Sequence, residues 1–401
     1  MNTRQLFLQH LAQTSDMPLL LEIERAEGMY LFDANGKAYL DLIAGIGVSS
    51  LGHRHPNVVN AVKAQLDKFL HTMVYGEFVL SPQVQLASLL AKNLPDPLDS
   101  VYFVNSGTEA TEGAMKLAKR FTNRPEIIAC KKAYHGSSQG AASLMNPRDF
   151  TQAYRPLLPG IRHIEFNCET CLERITDRTA AVIVETVQAE WGIRPPHGDY
   201  LKKLRQRCDE VGALLILDEI QVGYGRTGSL WGFQQYGIVP DILLLAKGMG
   251  GGMPIGAFIA SQDIMQSLAN NPILGHITTF GGHPVSCAAG LATLKTLLES
   301  DLIAKVPSKE KIFRDLLVHP AILEVRSAGL MMAVELPSFE FVQAVIKICL
   351  AEGVLTDWFL FNSSCLRIAP PLIIEEKHIR FACEVIVNAI EEVRNGGINI
   401  A

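Results

Sequence analysis

The sequence predicts an α/β fold, with a mostly parallel central sheet and a smaller α+β lobe built toward the ends of the chain. Three observations predict it. Apolar runs in the middle of the chain are continuous rather than alternating, as strands covered on both faces read. Those runs alternate with amphipathic stretches, the pattern of strand–helix units. The 401 residues are 48% hydrophobic, ample for a large core spread over two or more lobes.

Taken in order, the N-terminal stretch GMYLFDANGKAYLDL holds Ala34-Asn35-Gly36, which reads as a hairpin turn. SVYFVNSG is a strand leading into the helix-like TEATEGAMKLAKRF, and TAAVIVETVQ leads into GDYLKKLRQRCDEVG. ALLILDEIQ and PDILLLAKG are further strand candidates. After about residue 300 a helical stretch leads to GLMMAVELP and LRIAPPLII, the smaller lobe. No internal repeat or low-complexity linker interrupts the chain.

Charged residues are 19% of the chain and the net charge is −5, so nothing points to nucleic acid or an anionic membrane surface. No uncharged apolar run is long enough to span a bilayer, and the first residues lack a continuous apolar signal core. The expectation is a soluble, cytoplasmic protein. Of eight cysteines only Cys168 and Cys171 form a CxxC, with no second pair for zinc. They read as reduced structural thiols, and no metal site is expected. His53, His55 and His135 read as structural.

Three stretches carry chemistry. In LLILDEIQVGYGRTG an apolar strand runs into Asp218, and a buried carboxylate needs a cation or hydrogen-bond donors to meet it. The following Gly223 to Gly228 fits G-x-G-x-x-G. However, it stands too far from the strand end and opens no long helix, so a dinucleotide site is not indicated. In NSGTEATE, Ser106, Gly107 and Thr108 sit between a strand and a helix, where hydroxyls and N–H groups can hold an anion. Ser106 and Glu109 also fit a ligand-free capping box. In LLLAKGMGGGMP, Lys247 ends an apolar strand, where burial lowers an amine's pKa and makes it a better nucleophile toward carbonyls. An anion cradle, a strand-end aspartate and a strand-end lysine together describe a pyridoxal-phosphate site: phosphate in the nest, ring nitrogen on the carboxylate, aldehyde on the lysine as a Schiff base.

The motifs NSGTEA, AYHG, DEIQVGYGRTG, PDILLLAKGMGGGMPIGA and TTFGGHPVSCAAGLA, in this order, resemble the class III pyridoxal-phosphate aminotransferases of the acetylornithine/ornithine type. The resemblance runs from LFDANGKAYLDL to LRIAPPLII. It implies the fold type I of pyridoxal-phosphate-dependent transferases. Residues 1–52 would pack with the small domain, 53–298 would form the large cofactor-binding domain, and 299–401 the small C-terminal domain. It implies Lys247 as Schiff-base lysine and proton shuttle, Asp218 on the pyridine nitrogen, Gln221 near the ring hydroxyl and Tyr134 stacked on the ring. Ser106, Gly107 and Thr108 would hold the phosphate. Thr279 would reach the phosphate of the other subunit's cofactor, which makes the enzyme a homodimer with sites at the interface.

The reaction implied moves an amino group from an amino acid or ω-amine to an oxo acid such as 2-oxoglutarate or pyruvate. Arg367, in LRIAPPL, matches the arginine that handles an α-carboxylate. Glu190, in Gln188-Ala189-Glu190, matches the glutamate that masks it when an ω-amine is bound. Two positions depart from the family. Its usual arginine after His-Gly, which grips a second carboxylate, is Ser137 here, and Trp191 stands where a small residue is usual. A changed substrate with one carboxylate or none is one expectation; replacement of the charge by Arg148, Arg155 or the partner subunit is the other. Trp191 would narrow the pocket or wall it. Alternatives on the same scaffold are an aminomutase, a decarboxylase, or an amine-binding protein without turnover.

Overall fold

The computed structural model describes residues 2–396. At its centre lies a seven-stranded sheet in the order Ser100–Val104, Gly256–Ala260, Ile242–Leu245, Leu214–Asp218, Thr179–Glu185, Glu126–Cys130, Ile161–Ile164. The last five are mutually parallel, while Gly256–Ala260 runs antiparallel to both of its neighbours. Every residue of Thr179–Glu185 and Leu214–Asp218 is buried, which explains their unbroken apolar spelling. Each fully buried Leu, Ile or Val side chain contributes roughly 1.5–3 kcal/mol of burial.

The helix Gly107–Thr122 follows the first of these strands. Ser106 caps it by accepting the Glu109 N–H at 3.3 Å, and Asn123 ends it in the left-handed region. Its buried face carries Ala110, Ala114, Leu117 and Ala118, with Gly113 where Phe258 leaves no room for a Cβ. The helix Tyr200–Val211 buries Leu201, Leu204 and Cys208 and ends on Gly212, also left-handed.

A four-stranded sheet holds Ile23–Glu27, Tyr30–Asp33, Ala38–Asp41 and Val354–Leu355. The turn at Ala34-Asn35-Gly36 is as read: Gly36 has φ +82° and the flanking strands are antiparallel. Another four-stranded sheet runs Glu324–Ser327, Met332–Glu335, Asn362–Ile368, Asp357–Phe359, all antiparallel. Among the described residues no helix is long and apolar enough to cross a membrane.

The cysteine reading needs correction. Cys168 and Cys171 form a disulfide, because the short helical turn Thr170–Arg174 brings their Cα atoms to 5.4 Å. The other six cysteines are free and buried. Gly223–Gly228 forms a packed run of turns, and a Cβ on Gly225 would meet Ile303 at 2.6 Å. Only the five-residue 3₁₀ turn Gly232–Tyr236 follows it.

Candidate active site

At the carboxyl ends of the parallel strands opens a cavity of about 540 Å³. Ser106, Gly107, Thr108, Tyr134, Ser137, Asp218, Gln221 and Lys247 all line it, so the structure brings together residues far apart in the chain. Asp218 ends the strand Leu214–Asp218, directly opposite Glu185 on the neighbouring strand. Its Oδ1 accepts the Ile220 N–H at 2.9 Å, and its Oδ2 lies 2.7 Å from His135 Nδ1. Both side chains are buried, and His135 Nε2 has no partner among the described residues. His135, expected to be structural, is thus the immediate neighbour of Asp218. Its place directly after Tyr134 was the available signal.

The two acids of Asp218-Glu219 separate because successive side chains of a strand point to opposite faces. Glu219 leaves the cavity and accepts N–H groups of Gly232 and Phe233 at 2.7 and 2.6 Å and the Thr186 hydroxyl at 2.9 Å. Burial pushes its carboxyl up to about 7. Glu185 lines the cavity and accepts the Tyr134 and Ala189 N–H groups, and burial pushes it up to about 7 as well.

Lys247 follows the strand Ile242–Leu245 with φ +48° and opens a short 3₁₀ turn. Burial lowers its amine to about 8, opposed by the charge of Glu190. An amine at that value exchanges protons readily near neutral pH.

The opposite end of the site is floored by glycines. A Cβ on Gly107 would lie 2.9 Å from Ile220, and one on Gly136, at φ +124°, would lie 2.4 Å from the Thr108 hydroxyl. The Thr108 hydroxyl pairs with Ser138 at 2.6 Å. The capping-box expectation holds for Ser106 only, since the Glu109 carboxylate takes the Asn105 N–H instead, at 2.6 Å. Thr279 is exposed and does not line the cavity of its own chain.

Beyond Gln221 lies a buried ion pair. Arg367 donates from Nη1 and Nη2 to Glu190 at 3.0 and 2.8 Å, and Gln221 donates to Glu190 at 3.2 Å. The arginine holds the Glu190 carboxyl down at about 2, against the upward pull of burial. Arg367 Nε is 2.9 Å from Asp357 Oδ1, a partner not foreseen from sequence, and the guanidinium lies 4.3 Å from the Phe359 ring centre. The Tyr134 hydroxyl bonds Ser137 at 3.0 Å. Arg148 and Arg155 are exposed and, like Arg367 and Glu190, do not line this cavity. Trp191 does not wall the cavity either. It lies between two cations, Lys132 at 4.2 Å and Arg194 at 5.0 Å from its ring centre.

The residues fit pyridoxal phosphate: a helix N-terminus floored by glycines, a buried carboxylate and a lysine of lowered pKa line one cavity. Known proteins agree. The chain is 39% identical to the acetylornithine aminotransferase of Methanocaldococcus jannaschii, over 96% of this chain and 95% of that one. It is 40% identical to the putrescine aminotransferase of Pectobacterium atrosepticum, over 86% of this chain and 76% of that one. The structure of the Toxoplasma gondii ornithine aminotransferase, described with partial occupancy of PLP at its active site, superposes with a TM-score of 0.91 at 29% identity. That match covers 98% of this chain and 94% of that one. Since the family described as "Aminotransferase class-III" also matches residues 11–390, the chain belongs to the class III aminotransferases, enzymes that use pyridoxal phosphate to carry out transamination.

Proposed function

We propose that this transaminase takes ω-amines or amines with a single carboxylate as donors and a 2-oxo acid as acceptor, with Lys247 as proton carrier. The observation that carries the reading is the Glu190–Arg367 pair beside a cavity whose only lining lysine or arginine, among the described residues, is Lys247. A donor with a second carboxylate would find Ser137 where a guanidinium is needed, and losing such a contact costs roughly 2–5 kcal/mol. With Glu190 on Arg367, a donor without an α-carboxylate meets no exposed charge. When an oxo acid enters, its carboxylate displaces Glu190 and takes the two Nη groups.

When bound, pyridoxal phosphate supplies the carbonyl and the protonated ring that draws electrons from the substrate carbon. Asp218, steadied by His135, would keep the ring nitrogen protonated. Ser106, Gly107 and Thr108 would hold the phosphate, Tyr134 would cover the ring face, and Gln221 would face the ring hydroxyl while bridging to Glu190. Lys247 Nζ would carry the proton from the donor carbon to the cofactor in the first half of the reaction, and from the cofactor to the acceptor carbon in the second. Thr279, exposed on its own chain, is assigned to a partner's site, so the working form is a homodimer. We assign 53–298 to a large domain and 299–401 to a small one. Residues 1–52 would join the small one, supported by the pairing of Ala38–Asp41 with Val354–Leu355.

The test is a visible absorbance titration of the cofactor-loaded protein with single donors and no oxo acid. Loss of the long-wavelength band with putrescine or a simple amine, and not with glutamate, is expected. Loss with glutamate at comparable concentration would refute the donor assignment.

A further inference from the structure

Arg367 has more negative charge around it than it can neutralise. Two carboxylates share one guanidinium: Glu190 occupies Nη1 and Nη2, and Asp357 stands at Nε, 2.9 Å away. The Trp358 carbonyl accepts a further Nη2 hydrogen at 3.1 Å. Arg367 and Glu190 are almost wholly buried and Asp357 is one-fifth exposed. The formal charge of the cluster is therefore −1, and low surrounding polarity makes the excess felt.

The two acids differ in freedom. Asp357 is directly opposite Arg367 in the antiparallel pair Asp357–Phe359 with Asn362–Ile368, so the sheet holds it in place. Glu190 belongs to the loop after Thr179–Glu185, and its carboxylate's other contacts are the Gln221 amide and the Leu360 N–H, both 3.2 Å away. An entering carboxylate can displace Glu190. The strand pairing keeps the backbone of Asp357 beside Arg367 whatever fills the two Nη groups.

We propose that Asp357 is a positioning residue that sets the selectivity of Arg367, opposing substrate carboxylates while ionised and admitting them when it takes up a proton. This deepens the preceding reading and rests on its assignment of Arg367 to the acceptor carboxylate. Glu190, turned off the two Nη groups, stays beside them on its loop, so with Asp357 ionised an oxo acid takes the cluster, Glu190 included, from −1 to −2. With Asp357 protonated, the same step takes it from 0 to −1. An acceptor without a carboxylate adds no charge and is indifferent. The charged groups facing Asp357 are Arg367 on the paired strand, Glu190 from the loop and, from the N-terminal sheet, Asp41, which is itself held by His53 at 2.8 Å. Consistent with that setting, burial, with Glu190 adding to it, pushes the Asp357 carboxyl up to about 6 despite Arg367.

The experiment compares pyruvate with butanal as acceptors for the holoenzyme, one amine donor held fixed, from pH 5.5 to 8.5. Pyruvate stays ionised throughout, and donor and cofactor titrations cancel in the ratio of the two kcat/KM values. In the wild type the pyruvate-to-butanal ratio rises as pH falls through about 6. Asp357→Asn keeps the shape, raises that ratio roughly five- to tenfold at pH 8, a typical coupling between charged sites, and flattens its pH profile. A second measurement needs only the wild type: calorimetry of propanoate binding to the holoenzyme in two buffers of different ionisation heat shows proton uptake at pH 7. A flat wild-type ratio with no proton uptake overturns the proposal. Arg367→Leu separates the two readings. If it leaves the ratio unchanged, Arg367 does not hold the carboxylate and both fall; if it lowers the ratio while Asp357→Asn is silent, only the role of Asp357 falls.

Discussion

Lys247 and Asp218 occupy comparable strand-end positions but are handled by different physics. Nothing compensates Lys247 fully, so burial takes its amine down to about 8. Asp218 has two fixed partners, His135 and the Ile220 N–H. Replacing Lys247 by Ala removes the proton carrier, and kcat for transamination should fall by roughly 10²–10⁴-fold, measured by single-turnover kinetics with one donor. Replacing His135 by Ala leaves one oxygen of a buried carboxylate without its partner. The apo protein should lose roughly 1.5–3 kcal/mol of stability in urea, and its dissociation constant for pyridoxal phosphate should rise. An unchanged dissociation constant would mean that His135 does not act through Asp218 on the cofactor.

At the scale of elements, the anion end of the site depends on the strand Gly256–Ala260 lying tightly behind the loop before Gly107–Thr122. A Cβ on Gly256 would come 2.4 Å from the Ser106 carbonyl oxygen, and because the obstacle is backbone it has no easy relief. Gly256→Ala should therefore cost about 1–3 kcal/mol by overpacking and displace the Ser106 hydroxyl. Thermal unfolding measures the first effect, and weakened competition by inorganic phosphate for the cofactor site measures the second. A variant that unfolds earlier but binds phosphate as before would separate packing from the anion site.

At the scale of the whole molecule, buried carboxyls set the response to pH. Glu185 and Glu219 are raised to about 7 and Asp357 to about 6, whereas Glu190 is lowered to about 2. A raised carboxyl binds its proton more tightly in the folded chain, so its contribution is complete below the unfolded value and lost as pH rises through the folded one. Glu190 works the other way, and its contribution is lost as pH falls from 4.5 toward 2. The apo protein should thus be more stable at pH 5 than at pH 8 in urea unfolding. The expected difference is a few kcal/mol, because each tenfold gain in proton affinity on folding is worth roughly 1.4 kcal/mol. Glu219→Gln should reduce that slope without touching the cavity. The assignment of Thr279 to a partner's site predicts a dimer in analytical ultracentrifugation, and Thr279→Ala should weaken cofactor retention while leaving the dimer intact.

Much of this was legible in the sequence because it is written locally. Continuous apolar runs disclose doubly covered strands, Ala34-Asn35-Gly36 discloses its hairpin, and the strand-end Asp218 and Lys247 announce a site because charge there needs a reason. The pairing of Glu190 with Arg367 was readable through the family resemblance. Tertiary structure alone decided the rest. Asp357 meets Arg367 because two antiparallel strands set that register, and nothing near Asp357 in the chain names its partner. His135 reaches Asp218 across 83 positions. Cys168 and Cys171 pair because a turn of 3₁₀ helix brings them close, a geometry the CxxC spacing permits without requiring. Trp191 sits between two cations away from the cavity, a placement set by packing around it. Local propensity and burial pattern act within a few residues and can be read along the chain. Which charges share a buried space depends on how distant segments pack, and only the folded chain decides that.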